Sequence, residues 1–336
     1  RSTLFPYTTL FRSSYPNPLP TVEDSLRVRL DMTGIQDPIT GDWIRLYGTR
    51  DPQQNCWLAL DGKPKYIWIL NNSDESGQAQ VKTDIIFTVD NSGSMSEEAD
   101  AIARDIISWA QKLVASGLDV RFACVGYSVN GNINGAIDFC DANTLASYLN
   151  HASGTSRTMG FSGSNASTLQ SAASSYQVSD ECGAMAIHYA DANLSFRNLA
   201  NRIYVNFTDE PNQPGGKSDY SVEFFANQGN WSVNQGTVHT VYSDNNTTWT
   251  EQPLKYEYPW KISDYTGGTK FFTNGSFTGV SLDALPVSSA LMNSYVIYFY
   301  IPESMLDGMP HDLKLSVLTA DGHVHAERTF SVIFTR

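Results

Sequence analysis

Asp90, Ser92 and Ser94 place three oxygen-bearing side chains at alternate positions of one short stretch, Asp84-Ile-Ile-Phe-Thr-Val-Asp90-Asn-Ser92-Gly-Ser94-Met95. A single tight loop can turn such a carboxylate and two hydroxyls inward together, with Gly93 permitting the bend. Hard divalent cations select anionic and neutral oxygens of this kind, and magnesium ordinarily keeps several waters in its shell. A second acidic pair, Asp209-Glu210, directly follows the apolar run Arg202-Ile-Tyr-Val-Asn-Phe-Thr208, and a third, Asp180-Glu181, stands shortly before Ala186-Ile-His-Tyr-Ala190. An acid after a strand is also an ordinary turn residue.

The elements around these residues follow from hydrophobic patterning. Residues 84–89 are apolar and rich in β-branched and aromatic types, and 96–116 are amphipathic with acids in the first turn. That order predicts a buried strand, a polar loop and a helix start. From about 82 to 290, expected strands (84–89, 119–127, 134–139, 202–208, 237–242, 269–273) alternate with expected helices (95–116, 142–150, 165–175, 183–194, 219–228, 259–265, 280–291). The alternation predicts an α/β fold: a doubly wound, mostly parallel six-stranded sheet covered on both faces. Ligands of such sheets bind beyond the carboxyl ends of the strands, near the point where strand order reverses. The three acidic loops are expected to meet there.

Both flanks read as β. In the first, Leu26, Val28, Leu30 and Met32 alternate with Ser25, Arg27, Arg29 and Asp31, and 43–47 make a second short run. Runs 56–60 and 66–70 bracket Asp61-Gly62 as a hairpin, and 71–80 are polar, as in a linker. From Ser294 onward, 295–301 form a strand, 311–317 alternate, Asp321-Gly322 mark a turn and 330–334 close the chain. Neither flank makes a comfortable core alone. The expected division is 14–80, 82–290 and 294–336, with one β-sandwich built from both flanks and the α/β domain inserted between them; two separate β-modules are the alternative.

The pattern Asp90-x-Ser92-x-Ser94 after an apolar strand resembles the metal-ion-dependent adhesion site of von Willebrand factor type A domains, in a bacterial form. The run ending in Asp209 resembles that family's fourth-strand signature, whose acid contacts the metal through water. Thr266-Gly267-Gly268-Thr269 resembles the turn before its last strand. The third loop departs from the better-known members, which place a threonine in a Gly-Gly-Thr loop followed by Ala-Leu-x-x-Ala. Counting back from Ala186 puts Glu181 at the threonine position, beside Asp180. A carboxylate there would either bind the cation directly or favour the helix N-terminus without any metal. The resemblance spans 82–290. It implies a Rossmann-like domain in which Asp90, Ser92, Ser94 and Asp209, with Glu181 taking part, hold a divalent cation. Mg2+ is the expected ion, with Mn2+ or Ca2+ as alternatives, and an open coordination position faces a carboxylate on a protein partner.

Composition narrows the classes. The chain carries 35 acidic against 22 basic residues, a net charge of −13, which disfavours nucleic acid or an anionic membrane as the main partner. No apolar run is long enough to span a bilayer. Cys56, Cys124, Cys140 and Cys182 contain no C-x-x-C pair, so a zinc site is not expected. Cys124 reads as a buried free thiol, and Cys140 and Cys182 lie where they could pair in an oxidising compartment. Residues 3–13 resemble the in-frame translation of a sequencing adapter and are set aside from fold reasoning. A metagenomic bacterial source is inferred from that stretch.

Other chemistries lack their signatures. Gly160-Phe-Ser-Gly-Ser fails the nucleophile-elbow spacing, and there is no phosphate-binding glycine loop or His-Glu-x-x-His helix. His323 and His325 share a strand face without a third ligand, and sandwich core accounts for most flank tryptophans and tyrosines. The leading expectation is a non-enzymatic, cation-dependent protein-binding or adhesion domain, extracellular or at the cell surface. The alternatives are an intracellular scaffold working with an ATPase partner and a metal-assisted hydrolase.

Overall fold

The computed structural model describes residues 23–37, 39–74, 81–96, 98–128, 132–150, 167–198, 200–243, 249–274, 281–319, 322 and 325–335. The adapter-like stretch, residues 75–80 of the expected linker and His323 lie outside them. The chain divides into two compact units, one comprising Lys82–Ser288 and the other the described residues up to Val81 and from Ser289 onward.

In the β unit the chain begins with β1 (Leu26–Met32), β2 (Cys56–Leu60), β3 (Lys63–Lys65) and β4 (Trp68–Asn71). The expected hairpin is tighter than its sequence suggests. Asp61 (φ 48°) and Gly62 (φ 75°) form a two-residue turn with both φ positive, the conformation that matches strand twist. Leu60 therefore pairs with Lys63, β2 with β3, and 66–70 do not return along β2. Residues 43–47 contribute one isolated bridge, Gln36 to Trp43, and no strand.

The α/β unit contains β5 (Thr83–Asp90), β6 (Val120–Ser128), β7 (Asn132–Cys140), β8 (Asn201–Thr208), β9 (Thr237–Tyr242) and β10 (Lys270–Phe272). Its helices are α1 (Ala99–Ala115), α2 (Ala142–Leu149), α3 (Ser167–Ala173), α4 (Gly183–Asn193), α5 (Lys261–Thr266) and, running on past Ser288, α6 (Val287–Met292). The six strands lie in the order β10-β9-β8-β5-β6-β7, parallel throughout except for β7, which runs antiparallel to β6. After β5 the chain builds β6 and β7 on one side and then crosses to β8 on the other. Strand order thus reverses at β5, and the crevice beside it opens between β5 and β8.

Every residue of β5 is buried, as a strand covered on both faces requires. Phe87 packs edge-on against Trp109 at 6.0 Å and parallel to Phe122 at 6.4 Å. On α1 the buried residues Ile102, Ala103, Ile106, Trp109, Ala110 and Leu113 recur at helical spacing and form one apolar stripe. Helix α4 is buried on nearly all sides, with Gly183–Ile187, Tyr189 and Ala190 enclosed. At the amino end of β5, buried Asp84 accepts from Arg197 Nε at 2.9 Å and Arg197 N at 2.7 Å, and pairs with Arg121 at 3.2 Å.

Two expected helices are shorter than their patterns. Residues 219–228 form two 3-10 turns, Ser218–Tyr220 and Val222–Ala226, separated by extended Ser221, whose hydroxyl accepts from Glu223 N. Over 280–291, a 3-10 turn (Leu282–Ala284) precedes α6, because Pro286 holds Leu285 extended (ψ 135°).

The chain then returns to the β unit with β11 (Tyr295–Ile301), β12 (His311–Leu318) and β13 (His325–Val332). Both flanks contribute to two antiparallel sheets, β1-β11-β4 and β13-β12-β2-β3. They share one core in which Leu58, Leu60 and Ile67 meet Ile297, Phe299, Leu313 and Leu315. Trp57 is buried, whereas Trp68 is 41 % exposed and lies against Tyr66 and Tyr300 on the outer face of its sheet. All four cysteines, including Cys140 and Cys182, are free thiols.

Candidate cation site at the carboxyl edge of the sheet

Asp90 is the last residue of β5 and is fully buried. Its Oδ1 accepts from Ser92 N at 3.0 Å and its Oδ2 from Thr208 Oγ1 at 2.9 Å, so one oxygen is held by its own loop and the other from β8. Ser92 is buried, and its Oγ lies 3.0 Å from Ser94 Oγ. Ser94 is exposed and donates to Asp209 Oδ1 at 3.1 Å. The first and second acidic loops therefore meet through the residue types singled out by spacing.

The loop 93–96 winds as a 3-10 turn with Met95 buried beneath it. Gly93 is not needed for the bend. Its φ is not positive, and a Cβ there would meet nothing within 4 Å. Gly93 and Ser94 are exposed, so the cluster is approachable at Ser94.

Glu181 immediately precedes Cys182, the N-cap of α4, and is 6 % exposed. Gln213 holds it twice, from its backbone N to Glu181 O at 2.9 Å and from Nε2 to Oε2 at 3.3 Å. The helix is capped by Asn212, whose Oδ1 accepts from Ala184 N at 3.0 Å and from Cys182 Sγ at 3.2 Å. The carboxylate of Glu181 is thus not spent on that cap.

Electrostatics set this cluster apart. Burial, reinforced by the charges of Asp209 and Glu181, pushes the Asp90 carboxyl up to about 8 against the opposing hydrogen bonds from Ser92. Glu181 is likewise raised, first by burial and then by Asp180 and Asp209. The leading charges acting on both groups are acidic: Asp209 and Glu181 on Asp90, Asp180 and Asp209 on Glu181. Buried carboxylates that repel one another favour a cation in their midst. The donors are oxygens throughout, which fits Mg2+, Mn2+ or Ca2+ and disfavours softer ions. Among the described residues no group of three or more His, Cys, Asp or Glu side chains is gathered as a metal cluster. A cation here would draw on the serine hydroxyls and on water as well as on carboxylates.

Beneath the site runs a polar layer that spacing alone does not single out. Tyr127 OH and Thr88 Oγ1 both donate to Asn206 Oδ1, at 3.0 and 2.8 Å. A Cβ on Gly183 would come within 2.8 Å of Asn206 Nδ2 and 3.0 Å of Tyr127 OH, so glycine permits α4 to approach the sheet here. Thr208, Asn206, Asn212 and Gln213 all hold the site in place. The available signal was a pair of polar residues, Asn206 and Thr208, in the buried carboxyl half of β8.

Together these features define an α/β unit of Rossmann-like class with an acid–hydroxyl cluster at its switch point. No family model matches the chain, and no curated protein matches it. Among solved structures it is similar to the conserved hypothetical protein BatB from Bacteroides thetaiotaomicron, at 13 % identity and a TM-score of 0.35 over 62 % of this chain and 95 % of that one. It is also similar to the pilus adhesin SpaC from Lactobacillus rhamnosus GG in its open conformation, at 12 % identity and a TM-score of 0.33 over 89 % of this chain and 48 % of that one. The fold assignment rests on strand order and register, to which these low scores add nothing.

Proposed function

We propose that this chain is a non-enzymatic, divalent-cation-dependent protein-binding domain of the adhesive kind, extracellular or displayed at a cell surface, as its resemblance to von Willebrand factor type A domains implies. The observation that carries the reading is Asp90: a fully buried carboxyl, fixed at both oxygens, beside two hydroxyls and further acids whose charges push it up. Such a residue weakens the fold unless a cation answers it.

Mg2+ bound there would supply positive charge and an open coordination position for a partner's carboxylate. The chain's own residues do the remaining work. Thr208 and the Ser92 amide fix the direction of Asp90. Ser92 and Ser94 present neutral oxygens that can exchange their mutual hydrogen bond for a metal contact. Asp209 and Glu181 add negative charge at the rim, which strengthens cation binding and lessens the need for a strongly acidic partner group.

The test is a Ser92→Ala/Ser94→Ala double variant. Its Mg2+ affinity is expected to fall by more than the roughly 10–100-fold typical of residues that only support ligands. An unchanged affinity would contradict the assignment of the site.

A further inference from the structure

The two loops that carry Asp209 and Glu181 are joined by a residue distant from both in sequence. Glu257 is 2 % exposed and accepts four hydrogen bonds: from Ser221 Oγ at 2.6 Å, Val222 N at 2.9 Å, Leu254 N at 3.0 Å and Asn212 Nδ2 at 3.0 Å. Its backbone also pairs with that of Asn212 in both directions. Where each oxygen of Asp90 receives one hydrogen bond, each oxygen of this buried carboxylate receives two.

Asn212 in turn uses every polar site it has. Its Nδ2 donates to Glu257 Oε2 and to Tyr220 O, and its Oδ1 accepts from Ala184 N and Cys182 Sγ. Glu257, together with Tyr220 O, orients the amide plane that caps α4, because the two ends of one planar amide cannot turn independently. Asn212 stands three positions after Asp209 and is followed by Gln213, which grips Glu181. A continuous set of hydrogen bonds therefore runs from Glu257 through Asn212 to the start of α4, and from Gln213 to Glu181.

We infer that Glu257 is a positioning residue for the cation site: it sets the distance between the Asp209 and Glu181 loops and so governs how tightly the site holds its ion. The inference rests on the cation reading above. Replacing Glu257 by Gln keeps the volume but turns an NH2 group toward either Ser221 Oγ and Leu254 N or Val222 N and Asn212 Nδ2; the Ser221 hydroxyl can turn to accept, but the N–H donors it faces lose their acceptor.

The experiment measures Mg2+ binding by calorimetry to the chelator-stripped full chain, comparing wild type, Glu257→Gln, Glu181→Gln and the double variant, beside hydrogen exchange at the Ala184 amide without metal. The expected result is a 10–100-fold weaker affinity for Glu257→Gln, faster Ala184 exchange, and no further loss when Glu257→Gln is added to Glu181→Gln. Affinity within twofold of wild type, or losses that multiply independently, would overturn the positioning role. If Glu257→Gln does not fold, Asn212→Ser, which cannot span both partners, carries the same expectation and the same refutation. A wild type that binds no Mg2+ would overturn the cation reading itself, and the positioning role with it.

Discussion

Replacing Asp90 by Asn should make the metal-free protein more stable. The carboxyl has an ordinary value of 3.8 and is pushed up to about 8 in the fold. At pH 7 the folded state must keep it protonated while the unfolded chain lets it ionise, which at 1.36 kcal/mol per pH unit costs about 4 kcal/mol. The asparagine would remove that cost and keep the contacts. Its Oδ1 can still accept from Ser92 N, and its Nδ2 can donate to Thr208 Oγ1, whose own proton can turn to Glu210 O, now 3.2 Å away. Because the folded value is raised, the destabilisation is absent below about pH 4, grows through the interval from 4 to 8 and is constant above it. Urea denaturation of both proteins in chelator at pH 4, 6 and 7.5 checks this. The variant should match wild type at pH 4 and exceed it increasingly with pH, with about 5 kcal/mol as the upper limit at pH 7.5. Saturating Mg2+ should raise wild type alone, by about 2.7 kcal/mol at a hundredfold excess over Kd. A variant less stable than wild type in chelator at pH 7.5 would refute the claim that Asp90 is an uncompensated acid.

Three further outcomes follow from the same geometry. Asp84→Ala leaves Arg121 and Arg197 without their buried partner and should cost about 3–5 kcal/mol in denaturation, with Mg2+ affinity unchanged because Asp84 lies at the opposite end of β5 from Asp90. Gly183→Ala forces a methyl against Asn206 and Tyr127. It should lose about 1–3 kcal/mol in thermal unfolding and weaken Mg2+ binding as α4 carries Glu181 outward. His311 is raised above 6.5 by its hydrogen bond to Asp61, with Asp307 adding to the effect and burial opposing it. Its contribution to stability should be full below pH 6.5 and lost as pH rises through the elevated value; NMR titration of the ring should show that value falling in Asp61→Asn.

The α/β unit was largely legible because its strands are buried on both faces and read as continuous apolar runs. Residues 202–208 and 237–242 were bounded almost to the residue for that reason. Asp90, Ser92, Ser94 and Asp209 were legible because each sits next to the end of such a run, and the structure joins them by hydrogen bonds. What could not be read were arrangements made by distant partners. Residues 219–228 carry a helical pattern, yet Val222 N is taken by Glu257, thirty-five positions away, and Ser221 stays extended. The third loop depends on Asn212 and Gln213, whose roles emerge only when they are folded against residues 181–184. The β2–β3 hairpin was misjudged in length because the pairing of Asp61 and Gly62 as the whole turn rests on two positive φ values.

The central claim is that Asp90 anchors a cation, and titration of Mg2+ into the chelator-stripped full chain beside Asp90→Ala tests it most directly. The account predicts saturable binding to wild type and its loss in the variant. Binding that survives in Asp90→Ala, or that is absent from wild type, would contradict it.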